Sequence, residues 1–314
     1  MKESLGPSFP QKRDCLKDLD SGSRFALDTM RCRASLARND DFPSGREFYN
    51  SLQRKENEMQ ANMLKKKLKK GQVCFGTFIR LGPAAVEILG HAGWDFVVID
   101  MEHGVFDFTN VEHMVRAARC AGITSLVRVP EPTPSYIMRV VDAGAEGVQI
   151  PQVDSAQVAK LVSQAARYFP EGKRGLCSYV RAAGYSSIPP DVHMTTSNDE
   201  VLTVVHIEGE AAASQIKDIV ETPGIDVIFL GPWDLSQSLG VPGKTKDPRV
   251  IEVMEKVIAA CKGRGIILGT FVREVEDAKR WIDLGIQYMM LSTDAGLLLH
   301  SSRERLEKLR KMCA

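Results

Sequence analysis

The sequence predicts an α/β fold, a parallel eight-stranded (β/α)8 barrel, and three observations predict it. Short, β-branched apolar runs alternate with helix-period segments from Val73 onward. Eight such runs occur, the number that closes a parallel barrel. No G-x-G-x-x-G turn follows the first of them, as an open doubly wound sheet would usually require.

The runs are Val73–Ile79, Phe96–Asp100, Ser125–Val129, Gly147–Ile150, Leu202–Glu208, Val227–Leu230, Ile266–Phe271 and Tyr288–Ser292. Each is nearly continuous in apolar residues, as a strand buried on both faces should be. Helical stripes lie between them. Val111, Met114, Val115 and Ala118 share one face; so do Val158, Leu161, Val162 and Ala165; Val250, Met254, Val257, Ile258 and Cys261 form a third. Asp247-Pro248 is a start signal for that third helix. Gly90, Gly122, Gly144 and Gly285 fall where a left-handed C-cap is wanted. The stretch Ala295–Met312 reads as a last, amphipathic helix.

The barrel domain is expected over residues 59–314. Residues 1–58 are rich in Arg, Lys, Asp and Ser, with sparse, aperiodic apolar positions, and read as a polar, disordered extension. The run Lys65-Lys66-Lys67 with Lys69-Lys70 reads as a solvated first helix. Of 314 residues, 41 are Lys or Arg and 40 Asp or Glu, so the net charge of +1 argues against nucleic acid or an anionic membrane as partner. No apolar run approaches the ~18 residues of a membrane span. Seven scattered cysteines without C-x-x-C fit a reduced compartment. A cytoplasmic protein is expected.

Barrel active sites lie at the C-terminal ends of the strands. Several of the apolar runs end in ionisable groups there: Asp100 with Glu102 and His103, Arg128, His206 with Glu208, and Asp234. Charges so placed are costly unless they meet a metal, a ligand or each other. Glu208 and Asp234 come from neighbouring strands, so their carboxylates can converge on Mg2+ or Mn2+. The alternatives are a rim salt bridge for Glu208 and a helix cap for Asp234. Arg128 suits a substrate carboxylate or a developing oxyanion, or else an ion pair with Asp100 or Glu102. His103 is the candidate general base. Asp142, at a helix end, either orients His103 or is simply solvated. His193 falls in a polar loop and His113 off an apolar face; neither belongs to a metal-ligand spacing.

These segments in their order resemble the HpcH/HpaI aldolases, metal-dependent class II enzymes acting on 2-keto acids. The resemblance is carried by Val97-Val98-Ile99-Asp100-Met101-Glu102-His103, Val127-Arg128-Val129-Pro130, Ile150-Pro151-Gln152-Val153, Ile207-Glu208 and Gly231-Pro232-Trp233-Asp234-Leu235-Ser236, with Tyr168-Phe169-Pro170 through Lys173-Arg174-Gly175. It implies a divalent ion (Mg2+, Mn2+ or Co2+) on Glu208 and Asp234, His103 as base tuned by Asp142, and Arg128 at the enolate oxyanion. It also implies substrate contacts at Arg128, Asp234, the backbone near Trp233 and position 206. Two departures bear on the pocket. His206 stands where the family usually has Gln, and Trp233 where many bacterial members have a small residue. The implied reaction is reversible cleavage of a 4-hydroxy-2-keto acid to pyruvate, or a related keto acid, and an aldehyde, with no organic cofactor. The implied assembly is a homohexamer exchanging its last helix. An acyl-CoA lyase of the citryl- or malyl-CoA type and a non-catalytic metabolite-binding barrel are the other readings.

Overall fold

The structure, a computed structural model, describes residues 61–313. The expected polar extension over 1–58, and its boundary with the barrel, lie outside these residues. Eight parallel strands close in sequence order, β8 pairing β1. They are β1 (Cys74–Ile79), β2 (Phe96–Asp100), β3 (Thr124–Arg128), β4 (Gly147–Ile150), β5 (Leu202–Ile207), β6 (Val227–Leu230), β7 (Ile267–Val272) and β8 (Tyr288–Thr293). All eight begin and end within one residue of the expected runs.

The helices are α1 (Met63–Lys69), α2 (Pro83–His91), α3 (Phe108–Ala121), α4 (Pro134–Asp142), α5 (Ala156–Ala166), α6 (Pro190–Glu200), the short α7 (Glu210–Ser214) and α8 (Ile216–Val220), α9 (Pro232–Ser238), α10 (Pro248–Cys261), α11 (Val275–Asp283) and α12 (Asp294–Cys313). Among the described residues no helix is long and apolar enough to cross a membrane.

Strand periodicity sorts the apolar residues into two cores. Val97, Ile99, Val127, Val148, Val205, Ile207 and Ile228 point outward and pack on the helices. Phe96, Val98, Leu126, Val204, Phe229, Tyr288 and Met290 share a second cluster, which fills the barrel. The expected stripes on α3 and α10 are buried throughout. On α5 the stripe is rotated. Leu161 is exposed, and Ala159, Val162, Ser163, Ala165 and Ala166 face inward, because small residues let this helix lie close to the sheet.

Gly122, Gly144 and Gly285 take positive φ after their helices as expected. Gly90 does not. It lies inside α2, where a Cβ would come within 2.6 Å of that of Ala121, so it permits the close approach of α2 to α3, and Gly93 takes the left-handed position instead. His193 is buried on α6 with Nε2 3.1 Å from the Tyr168 hydroxyl, not in a polar loop.

The first helix departs most from expectation. It is not solvated along its length: Leu64, Lys65 and Leu68 of α1 are buried, and the two leucines join the cluster that fills the barrel. Asn62 caps the helix and also donates to the carbonyls of Glu146 and Glu200. The Lys65 ammonium donates to the Val201 carbonyl (2.9 Å) and pairs with Asp226 (3.0 Å), which Arg167 also holds. Burial pulls the Lys65 pKa down against the opposing pull of Asp226. A lysine run reads as solvated only while its members are taken as equivalent; one of them here faces inward between two leucines.

Helix α1 closes the end of the barrel opposite the strand C-termini, so loss of its packing should act on stability alone. Leu68→Ala should cost about 2–5 kcal/mol in urea unfolding. A cost under about 1 kcal/mol, the level of an exposed position, would show that α1 is not part of the core.

Candidate active site

Residues 96, 98 and 100 of β2 point inward, and the register sets Asp100 beside Arg128 and Arg128 beside Gln149. Asp100 is 0% exposed. It accepts from Arg128 Nε (2.9 Å) and Nη2 (2.8 Å), from Arg80 Nε (3.0 Å), and from the backbone N–H groups of Glu102 and His103 (3.2 Å each). Burial alone would raise its pKa. The Arg128 hydrogen bonds, with the charges of Arg128 and Arg80, outweigh this and hold the carboxyl below its ordinary value.

Arg128 is therefore fixed on both sides. One edge forks onto Asp100, Nη1 lies 2.9 Å from Glu102, and the guanidinium sits 4.1 Å above the Phe78 ring. Both ion pairs considered from the sequence exist, and Arg128 still lines the cleft. Burial raises the pKa of Glu102 against the pull of Arg128.

At the end of β5, Glu208 is held by two donors on different oxygens. Oε1 accepts from the Gln152 backbone N–H (2.6 Å) and Oε2 lies 2.9 Å from His206 Nδ1. Gln152 adopts φ 56°, a strained value for a non-glycine residue, and its N–H is thereby aimed at Glu208. Burial would raise the Glu208 pKa, but His206 and the Gln152 N–H outweigh it and keep the carboxyl depressed. Gly231 makes room: a Cβ there would meet Glu208 Cβ at 2.9 Å and Oε2 at 3.1 Å.

Asp234 does not cap a helix beginning at Leu235. Helix α9 starts earlier, at Pro232, and Asp234 lies in its first turn, its carboxylate with no hydrogen bond or ion pair among the described residues. Beside it Trp233 is part-exposed, and the Arg273 guanidinium lies 5.3 Å from its ring.

Glu208, Asp234, Arg128, His103, His206 and Trp233 line one cleft of about 430 Å³, walled by Phe78, Phe229 and Phe271. An adjoining hollow of about 330 Å³ shares His103, His206, Glu208 and Asp234 with it and adds Glu102. The His103 side chain is 54% exposed at the mouth, its Nε2 3.8 Å from Glu102.

Two of the expected site residues make other contacts within the chain. Asp142 is not joined to His103 within the chain. Its carboxylate takes Arg174, which also donates to Ser197 and lies over Tyr168. Glu102 is the acid beside the histidine. His206, expected at the substrate, has both ring nitrogens engaged by protein groups, Nδ1 by Glu208 and Nε2 by Gln149. The site residues missed from the sequence are Arg80, Gln149, Gln152 and Tyr288. Arg80 and Gln149 share the inward parity of Phe78 and Gly147, a signal present in the strands themselves.

Comparison with known proteins agrees in direction. Residues 76–301 match the profile of the family described as HpcH/HpaI aldolase/citrate lyase. The chain is similar to the hydroxypyruvate/pyruvate aldolase of Paraburkholderia phytofirmans, at 36% identity over 79% of this chain and 98% of that one. It is also similar to the 2-dehydro-3,6-dideoxy-6-sulfogluconate aldolase of Pseudomonas putida, at 30% identity over 77% and 95%. Among solved structures, an HpcH/HpaI aldolase/citrate lyase family protein of Burkholderia cenocepacia superposes with a TM-score of 0.76 at 32% identity, covering 79% of this chain and 99% of that one.

The Asp100–Arg128 pair should dominate the stability of this end of the barrel. Arg128→Met, which strands a buried carboxylate, should lose about 3–5 kcal/mol in chemical denaturation, and Arg128→Lys should recover only part, since an ammonium cannot fork. Wild-type stability in Arg128→Met would contradict the role given to the pair.

Proposed function

The chain belongs to the HpcH/HpaI aldolase/citrate lyase family and is a carbon–carbon lyase of the aldolase type, and from that premise we propose that Glu208 and Asp234 hold a divalent cation for reversible cleavage of a 4-hydroxy-2-keto acid. The products would be pyruvate, or a related keto acid such as hydroxypyruvate, and an aldehyde. One observation carries the reading: an oriented, ionised carboxylate and a carboxylate without a partner among the described residues line the same cleft as a fixed guanidinium.

The donor set fits a hard cation. Among the described residues no three of His, Cys, Asp and Glu cluster as a metal cage. Two carboxylates with room for substrate oxygens are what Mg2+, Mn2+ or Co2+ in such a site would use. When bound, the ion would supply Lewis-acid stabilisation of enolate charge.

The chain's own groups supply the rest. Arg128, immobilised before substrate arrives, presents the Nη hydrogens that Asp100 and Glu102 leave unused to the developing oxyanion, a preorganised contribution of about 3 kcal/mol in comparable sites. His103 takes the proton of the 4-hydroxyl group at the cleft mouth, with Glu102 beside it in place of Asp142. Phe78, Phe229 and Phe271 exclude water from the reacting carbons. Arg273 lines the cleft over Trp233 with no carboxylate partner among the described residues, which favours an aldehyde carrying an acidic group. No lysine lines the cleft among the described residues, in keeping with a route that needs no Schiff base.

The assembly follows the same reading. On α12 every residue from 298 to 313 is exposed, including Leu298, Leu299, Leu306, Leu309 and Met312, which supports packing of this helix on a second copy in a homohexamer. The five free cysteines among the described residues favour a reducing, cytoplasmic setting.

A screen of 4-hydroxy-2-keto acids, with lactate dehydrogenase reporting pyruvate, tests the proposal. EDTA should abolish turnover and Mn2+, Co2+ or Mg2+ should restore it, while Asp234→Asn should lower kcat by about 100-fold or more. Borohydride trapping of pyruvate on a lysine would overturn it.

A further inference from the structure

His206 lies deep in the barrel, 1% exposed, its ring stacked on Phe229 at 4.6 Å. Its Nε2 is 2.6 Å from Gln149 Nε2, and its Nδ1 is 2.9 Å from Glu208 Oε2. Gln149 in turn accepts at Oε1 from the Tyr288 hydroxyl, at 2.9 Å, and both Gln149 and Tyr288 are 0% exposed. The direction of each bond follows from the chemistry of its ends. An amide nitrogen only donates, so His206 Nε2 accepts, and a neutral ring that accepts there carries its proton on Nδ1. An ionised Glu208 only accepts, so it takes that proton's hydrogen bond. The amide orientation has a second support: its NH2 faces the Met290 thioether at 3.9 Å, a group that can only accept.

We propose that Tyr288, Gln149 and His206 form a one-way hydrogen-bonded strut, from β8 through β4 to β5, that fixes the orientation of the Glu208 carboxylate through which it would hold a divalent cation. His206 is thus a positioning residue and not a substrate contact. The inference rests on the reading of Glu208 and Asp234 as cation ligands. Ordering a free glutamate side chain costs conformational entropy. Here Gln152 fixes one oxygen and the strut the other, before any ion arrives, and each oxygen keeps a lone pair. A glutamine at position 206 would offer both a donor for Glu208 and an acceptor for Gln149.

Two measurements on the full-length protein test the strut. The first is long-range 1H–15N correlation of the metal-free, histidine-labelled enzyme at neutral pH, with His206 assigned by its loss in His206→Phe. A proton on Nδ1 is expected; a proton on Nε2 would overturn the inference. The second is Mn2+ affinity, read from the free-ion electron paramagnetic resonance signal. His206→Phe keeps the ring and removes both hydrogen bonds, so it should bind Mn2+ about tenfold or more weakly. His206→Gln should stay within about threefold of wild type, and Tyr288→Phe, which cuts only the far end, should lose about two- to fivefold. Tyr288→Phe carries this test if His206→Phe does not fold. Wild-type affinity in His206→Phe, or in Tyr288→Phe standing in for it, would overturn the strut. Asp234→Asn separates the two levels. If it binds Mn2+ as wild type does, or if wild type binds none, the cation reading fails and the strut's role fails with it. If it loses binding while His206→Phe does not, the strut alone fails.

Discussion

A carboxylate wholly removed from water, Asp100, is the constraint on which the open end of this barrel depends. A buried charge is tolerable only when paired and fully hydrogen-bonded. Asp100 achieves this by drawing in the Arg128 fork, the Arg80 side chain and the turn that carries Glu102 and His103. The cost of ordering Arg128 is met in the fold itself, so its remaining Nη hydrogens are already in place when a substrate enters. Arg80 is anchored again through its backbone, since Asp294 accepts from the N–H groups of Arg80 and Leu81. The loops after β1, β2 and β8 are thereby tied into one rim.

The two ends of the barrel solve opposite problems. At one end α1 buries Leu64 and Leu68 and turns even a lysine inward, leaving a sealed apolar floor. At the other, the same inward parity that supplies Phe96, Val98, Leu126 and Val204 to the interior continues into Asp100, Arg128, His206 and Glu208. The chemistry sits where the apolar filling stops. The low-dielectric interior beneath strengthens each polar contact above it, and explains why Glu208 and Asp100 stay ionised only through specific donors.

What the sequence revealed follows from this layout. Strands buried on both faces leave unbroken apolar runs, so all eight were legible to within a residue. A charge directly after such a run is conspicuous, which is why His103, Arg128, Glu208 and Asp234 stood out. Partner choice was not legible. Asp142 meets Arg174 and Lys65 meets Asp226 across long separations in the chain, and spacing carries no trace of either. Gln149 and Tyr288 were hidden because polar atoms inside an apolar strand look like packing until their partners are known. Leu161 misled because apolar periodicity alone cannot tell a helix's sheet-facing side when small residues make the contact.

The oriented Glu208, with Asp234 unpaired among the described residues, is the feature to which these constraints lead. Diffraction from crystals of the full-length protein grown with Mn2+ and pyruvate, recorded at the manganese absorption edge, tests it most directly. One anomalous peak bonded to the carboxylates of Glu208 and Asp234, with pyruvate between it and Arg128, is the expected result. A peak held by other side chains, or pyruvate bound away from both carboxylates, would contradict it.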